Sequence, residues 1–135
     1  MRFAIQDNMK KISFYIFFLS FFFNIGFAQW INFTPDDEQG VYTFYDTSSI
    51  TKSNDNTEVW TITNYSTPDS EGNYSNKILI NFNCKDFSAE FIEAIVYKNE
   101  MAGGVGKSIL DKLPSGFMDF DSNSVTYNLG KEVCK

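Results

Sequence analysis

Residues 77–84 read KILINFNC, and the fold turns on how they are read. Ile78, Ile80, Phe82 and Cys84 fall on one side of an extended chain, with Asn81 and Asn83 on the other. Period two over eight residues marks a half-buried strand. It also points Cys84 inward, where a structural cysteine belongs. Upstream, residues 57–66 (TEVWTITNYS) are dense in β-branched and aromatic side chains, with Trp60 and Ile62 on one face. Residues 40–46 (GVYTFYD) alternate Val41, Thr43 and Tyr45 against Tyr42 and Phe44. The intervening segments, 47–56 and 67–76, are rich in Ser, Thr, Asn, Asp, Gly and Pro, which is turn chemistry.

Downstream, residues 87–97 fit two periods. Phe87, Phe91, Ala94 and Ile95 would line a helix face; Phe87, Ala89, Phe91, Ile95 and Tyr97 would line a strand face interrupted by Glu93. Lys85-Asp86 stands at hairpin distance from the preceding strand, which favours a strand. Near the end, Val125, Leu129 and Val133 recur every four residues, as on a helix. Ser122, Asn123 or Ser124 supplies the N-cap oxygen. Gly130 inside that helix costs about 1 kcal/mol relative to alanine. The expected fold is α+β: a twisted antiparallel β-sheet with a short C-terminal helix stapled by one disulfide.

The first 28 residues have a different character. Lys10 and Lys11 precede a nearly unbroken apolar run, ISFYIFFLSFFFNIGF, over residues 12–27. That run is short for a hydrocarbon core, which needs about 20 residues. Gly26 and Ala28 place small residues at −3 and −1 of a cleavage site, so 1–28 reads as a signal peptide and Gln29 as the mature N-terminus. Met9 opens the pattern MKK and is a candidate true start. No Cys follows the cleavage site, so nothing marks a lipoprotein. Residues 29–135 then form a single domain, expected in the periplasm or on the cell surface of a Gram-negative bacterium.

The chain carries 11 basic and 17 acidic side chains. Removing residues 1–28 takes Arg2, Lys10, Lys11 and Asp7, leaving 8 basic against 16 acidic. Such a domain repels phosphate backbones, so nucleic acid is not an expected partner. There is no histidine, which removes the commonest general base and metal ligand. The two cysteines, Cys84 and Cys134, are an even pair in an exported chain and are expected to bridge. The closed loop of about 51 residues is worth roughly 4 kcal/mol.

Other patterns carry no chemistry. AGGVGKS over 102–108 resembles a phosphate-binding loop, but Met101 stands where that loop needs glycine, so a glycine-rich turn between strands is expected. Asp36-Asp37-Glu38, and Asp69, Glu71 and Asn73, are read as solvated loops rather than calcium sites. The triplets at Asn32, Asn64 and Asn73 match a glycosylation acceptor by chance. Asp46 and Glu58 make no evident glycosidase pair; Asp46 is expected to hydrogen-bond the turn that follows it. No enzyme activity, cofactor or metal is expected.

From Gln29 onward the chain resembles the surface-adhesin protein E family. The likeness rests on Trp30 after the signal, Phe44-Tyr45-Asp46 with Ser49-Ile50, and Val59-Trp60. It continues through Lys77 leading a strand into Cys84, a glycine-bearing turn at Gly103-Gly104, and the ending Val133-Cys134-Lys135. Two departures stand out. Phe117-Met118-Asp119-Phe120 replaces a Trp and Pro-rich stretch, and the namesake is a lipoprotein whereas this chain lacks an acylated Cys. The resemblance implies a small disulfide-stapled sheet packed with helix and adhesion to host extracellular-matrix or plasma proteins; one reading is then an exported adhesin-like binding domain that uses exposed aromatics and sheet edges on a protein ligand. The other reading is a periplasmic structural or inhibitor-like domain. Lys135 presents an ammonium and a carboxylate at one place, the pair that plasminogen kringles recognise, which makes plasminogen a candidate ligand. No integral membrane segment remains after signal cleavage, and a homodimer is an open possibility.

Overall fold

The computed structural model describes residues 27–34 and 39–135. The signal-peptide reading therefore lies almost entirely outside the described residues, as does the acidic run Asp36-Asp37-Glu38. Among the described residues, seven strands form one antiparallel sheet. They are β1 (Trp30–Asn32), β2 (Val41–Asp46), β3 (Thr51–Ser53), β4 (Asn56–Tyr65), β5 (Ser75–Asn83), β6 (Ala89–Asn99) and β7 (Gly103–Ser108). A helix, α1 (Val125–Val133), follows. The spatial order is β1-β2-β4-β5-β6-β7, with β3 paired to the start of β4.

The sheet's first face is the core. Register sets Val59 opposite Ile80, Thr57 opposite Phe82, Phe82 opposite Ala89, and Ile80 opposite Phe91. Val59, Phe82 and Ala89 are fully buried. Helix α1 lays Leu129 and Val133 onto this face. Burying each of Val59, Phe82, Leu129 and Val133 is worth about 1.5–3 kcal/mol of apolar transfer. Phe33 meets Tyr45 edge to face at 5.9 Å, and Phe91 meets Phe120 at 6.2 Å, closing the two flanks of the core.

The helix begins where the sequence allows. Ser124 is the N-cap, and its hydroxyl accepts from the Tyr127 N–H at 3.1 Å. Gly130 has a packing reason: a Cβ there would lie 2.8 Å from Cδ1 of the Phe82 ring. Cys134, the C-cap residue, bonds Cys84 with a Cα–Cα separation of 5.5 Å. Val125, on the expected apolar stripe, is left 41% exposed.

Residues 89–99 are a strand, as the hairpin spacing favoured. Phe87 is not part of it; it sits in the turn with φ +58°, its ring against Tyr127 at 5.5 Å. An irregularity at Leu79/Ile80 shifts the β5–β6 register, so that Leu79 faces Glu93 and Ile80 faces Phe91. This shift is what brings both Phe91 and Ala94 to the core face of one strand.

Two expectations need correction. Residues 47–56 are not all turn: Thr51–Ser53 pair with Asn56–Glu58 around Asn54 at φ +53°. Three exposed polar residues carry no alternation to read. Gly103-Gly104 and the residues that follow them to Ser108 are not a turn either. They form edge strand β7, and the turn lies just before, where Met101 and Ala102 both take positive φ. Glycines have no side chains to alternate, so the strand is silent in the sequence. Gly106 is required by close approach, since a Cβ there would fall 2.6 Å from Cγ2 of Ile95 and 2.8 Å from Cε1 of Tyr97.

Candidate functional site

Period two gives every strand two faces, and α1 covers only the first. On the second face the register builds continuous rows across the sheet. Phe44, Ile62, Lys77 and Ile95 stand side by side on β2, β4, β5 and β6. Trp60, Leu79 and Glu93 form the next row, and Glu58, Asn81 and Glu90 the one beyond. Ile62 is buried at 2% exposure, yet Phe44, Trp60, Leu79 and Ile95 around it remain partly exposed. Tyr42 adds a ring at 37% exposure. The Lys77 ammonium lies over the Trp60 ring, 4.7 Å from its centroid, in a cation–π contact. An aromatic and aliphatic strip is therefore flanked by three carboxylates, Glu58, Glu90 and Glu93. Rigid aromatic area beside a polar rim suits a protein interface, because little side-chain entropy is lost when it is covered.

The residues singled out by sequence lie elsewhere. Cys84 and Cys134 are joined in the disulfide. Lys135 lies past the end of α1, its side chain 72% exposed, with Nζ 2.6 Å from Glu132 Oε2. That bond and the Glu132 charge raise the Lys135 pKa above its ordinary value. The Lys52 ammonium donates to the Lys135 main-chain oxygen. Both halves of the terminal lysine are thus engaged within the molecule, through exposed contacts that water and salt weaken.

Asp46 bonds the turn after it, as expected. Its carboxylate accepts from the Ser48 hydroxyl at 2.6 Å and the Ser48 N–H at 3.0 Å. Burial works to raise its pKa, but these bonds and one from the Gln29 N–H outweigh it and hold the carboxyl below its ordinary value. Glu58 instead lies in register with Asn81. Asp69 accepts from the Asn73 N–H, the Asn73 amide and the Glu71 N–H, which hold its carboxyl below the usual range and fold the loop on itself. A shallow cavity of about 170 Å³ beside it is lined by Asp69, Glu71, Asn73, Val96 and Lys112 among others. Lys107 stands exposed on β7. No described helix is long and apolar enough to cross a membrane.

The second face was not legible residue by residue. The alternation of β4 and β5 could show that two faces exist. Only the strand order shows that Phe44, Trp60, Leu79 and Ile95 converge on one of them.

A family model described as surface-adhesin protein E matches residues 30–135. Among solved structures, crystal form II of Haemophilus influenzae protein E superposes with a TM-score of 0.56 at 15% identity, covering 79% of this chain and 96% of that one. The selenomethionine form of the same organism's protein E gives 0.54 at 15% identity, covering 75% and 90%. At such identity the likeness is one of fold. No curated protein matches the sequence.

Proposed function

The chain belongs to the surface-adhesin protein E family, and from that premise we propose that it is an exported adhesin-like domain that docks a host extracellular-matrix or plasma protein on its second sheet face. The observation that carries this is the partly exposed strip of Phe44, Trp60, Leu79 and Ile95, with Lys77 stacked on Trp60. Buried aromatic anchors dominate interface energetics, and Trp is among the commonest of them. The acidic flank of Glu58, Glu90 and Glu93 selects a partner with basic groups around an apolar centre.

The test is binding of the purified protein to a panel of immobilised matrix proteins and to plasminogen, for wild type, Trp60→Ala and Lys77→Ala. Loss of the Trp60 anchor is expected to weaken binding tenfold or more, about 1.4 kcal/mol or above. Undiminished binding by Trp60→Ala with an intact disulfide would refute the assignment of this face. Capture of plasminogen that is lost on deleting Lys135, or with a free lysine analogue, would move the contact to the chain end. Protease shaving of intact cells separates surface display, where the domain is removed, from the periplasmic structural reading, where it is spared.

A further inference from the structure

Asp46 closes β2 and is only 7% exposed, yet among the described residues no ion pair reaches it. Besides Ser48, its Oδ1 accepts from one other group, the main-chain nitrogen of Gln29, at 2.9 Å. Gln29 is held there from several directions. Its carbonyl oxygen accepts from the Thr47 N–H at 3.1 Å, and its side-chain Oε1 lies 3.3 Å from the Thr47 hydroxyl. Strand β1 begins at the next residue, where Trp30 is in register with Asp46. Phe27 and Ala28, just before, are exposed, Phe27 at 80%. Independently, the small residues Gly26 and Ala28 mark the bond between Ala28 and Gln29 for signal peptidase.

We propose that Asp46 is the receptor for the mature N-terminus: cleavage after Ala28 turns the Gln29 amide into an α-ammonium seated on the Asp46 carboxylate. The peptide nitrogen of the uncut chain offers Asp46 one neutral N–H. The freed terminus offers a full positive charge in the same place, which gives the buried carboxylate a direct counter-ion. Lys77 on β5 is the further charged side chain whose field reaches Asp46, and it acts in the same direction. Processing therefore locks the first strand onto the sheet edge.

The sign of the pH effect follows. An α-amine paired with a carboxylate has a folded pKa above its unfolded value of about 7.7–8.0. The added stability is complete below that value and is lost as pH rises through the folded one. The same charge opposes cyclisation of the terminal glutamine. In that reaction the neutral amine nitrogen bonds to the side-chain amide carbon, the carbon–nitrogen bond to the amide nitrogen breaks, and ammonia leaves carrying the amine proton. A terminus kept protonated by Asp46 is a poor nucleophile.

The full chain is exported from a bacterial host alongside a variant with one alanine inserted between Ala28 and Gln29. The insertion moves the amine one residue away and alters no side chain. Terminal sequencing is expected to begin at Gln29 in the parent, and intact mass to show no loss of ammonia. The parent is expected to melt higher than the insertion variant near neutral pH, with the gap closing as pH rises by roughly one to two units above 8. Its amine is also expected to be acylated more slowly at pH 7. Asp46→Asn is expected to remove the gap; should that variant not fold, the insertion comparison stands alone. Cleavage elsewhere, a cyclised terminus, or superimposable melting curves across pH would overturn the proposal.

Discussion

Replacing Gly130 by alanine sets two effects against each other at one atom. In an exposed helix the change gains about 1 kcal/mol from backbone entropy and propensity. Here the new Cβ would lie 2.8 Å from Cδ1 and 3.1 Å from Cε1 of Phe82. Carbon pairs prefer about 3.5–4.0 Å, so the ring or the helix must move by most of an ångström. Neither is free to do so. Phe82 is fully buried between β4 and β6, and the helix is fastened four residues on by the bond from Cys134 to Cys84. Overpacking of this kind costs about 1–3 kcal/mol, and with both partners locked the upper end applies. The net expectation is a loss of about 2 kcal/mol, which lowers the melting temperature by roughly 10 °C and the urea midpoint by about 1 M. Urea unfolding followed by Trp fluorescence measures it. Combining Gly130→Ala with Phe82→Leu should cost less than the two separate losses added together, because leucine vacates the space the methyl needs. A Gly130→Ala protein as stable as the parent, or more so, would refute the reasoning.

The turn before β7 holds Met101 and Ala102 at φ +53° and +56°, with the Met101 N–H on Asn64 Oδ1 at 2.8 Å and the Ala102 N–H on Ser75 Oγ at 3.0 Å. Met101→Asn with Ala102→Gly should relieve about 1–2 kcal/mol of left-handed strain and raise the melting temperature. Cys84→Ser should expose one thiol at Cys134 and cost roughly 4 kcal/mol; two free thiols per denatured, unreduced wild-type chain would contradict the staple. Asp46 has a folded pKa below its ordinary 3.8, so its contribution is present above that value and lost as pH falls through the folded one. Acid melting curves of wild type should fall more steeply below about pH 4 than those of Asp46→Asn, and parallel curves would show that Asp46 does not carry this dependence. On the open edge, Val105 is 90% exposed beside Lys107, so Lys107→Val should produce concentration-dependent association by light scattering, while Lys107→Ala should leave stability unchanged, and titration with ATP is expected to give no saturable signal in either wild type or that variant.

Local pattern was enough to find the long strands, the helix and the disulfide partners. Alternation over 77–84, density of β-branched residues over 57–66 and the four-residue recurrence of Val125, Leu129 and Val133 are properties of neighbouring side chains, and the fold keeps each with small changes at the ends, where Cys84 falls just past its strand and Val125 stays exposed. The pairing of Cys84 with Cys134 followed from there being two cysteines and an exported chain. The tie between Asp46 and the turn after it was equally local, two residues apart. Tertiary structure decided what depends on distant residues meeting. Strand β7 exists because β6 pairs with it, not because GGVGKS favours extension. Gly130 is glycine because of Phe82, which lies nearly 50 residues away. The strip of Phe44, Trp60, Leu79 and Ile95 arises from strand order, and Asp46 meets Gln29 across 17 residues. Period and propensity are short-range quantities, whereas register and close approach are set by which strand lies beside which, and that is fixed only when the whole sheet closes on its core.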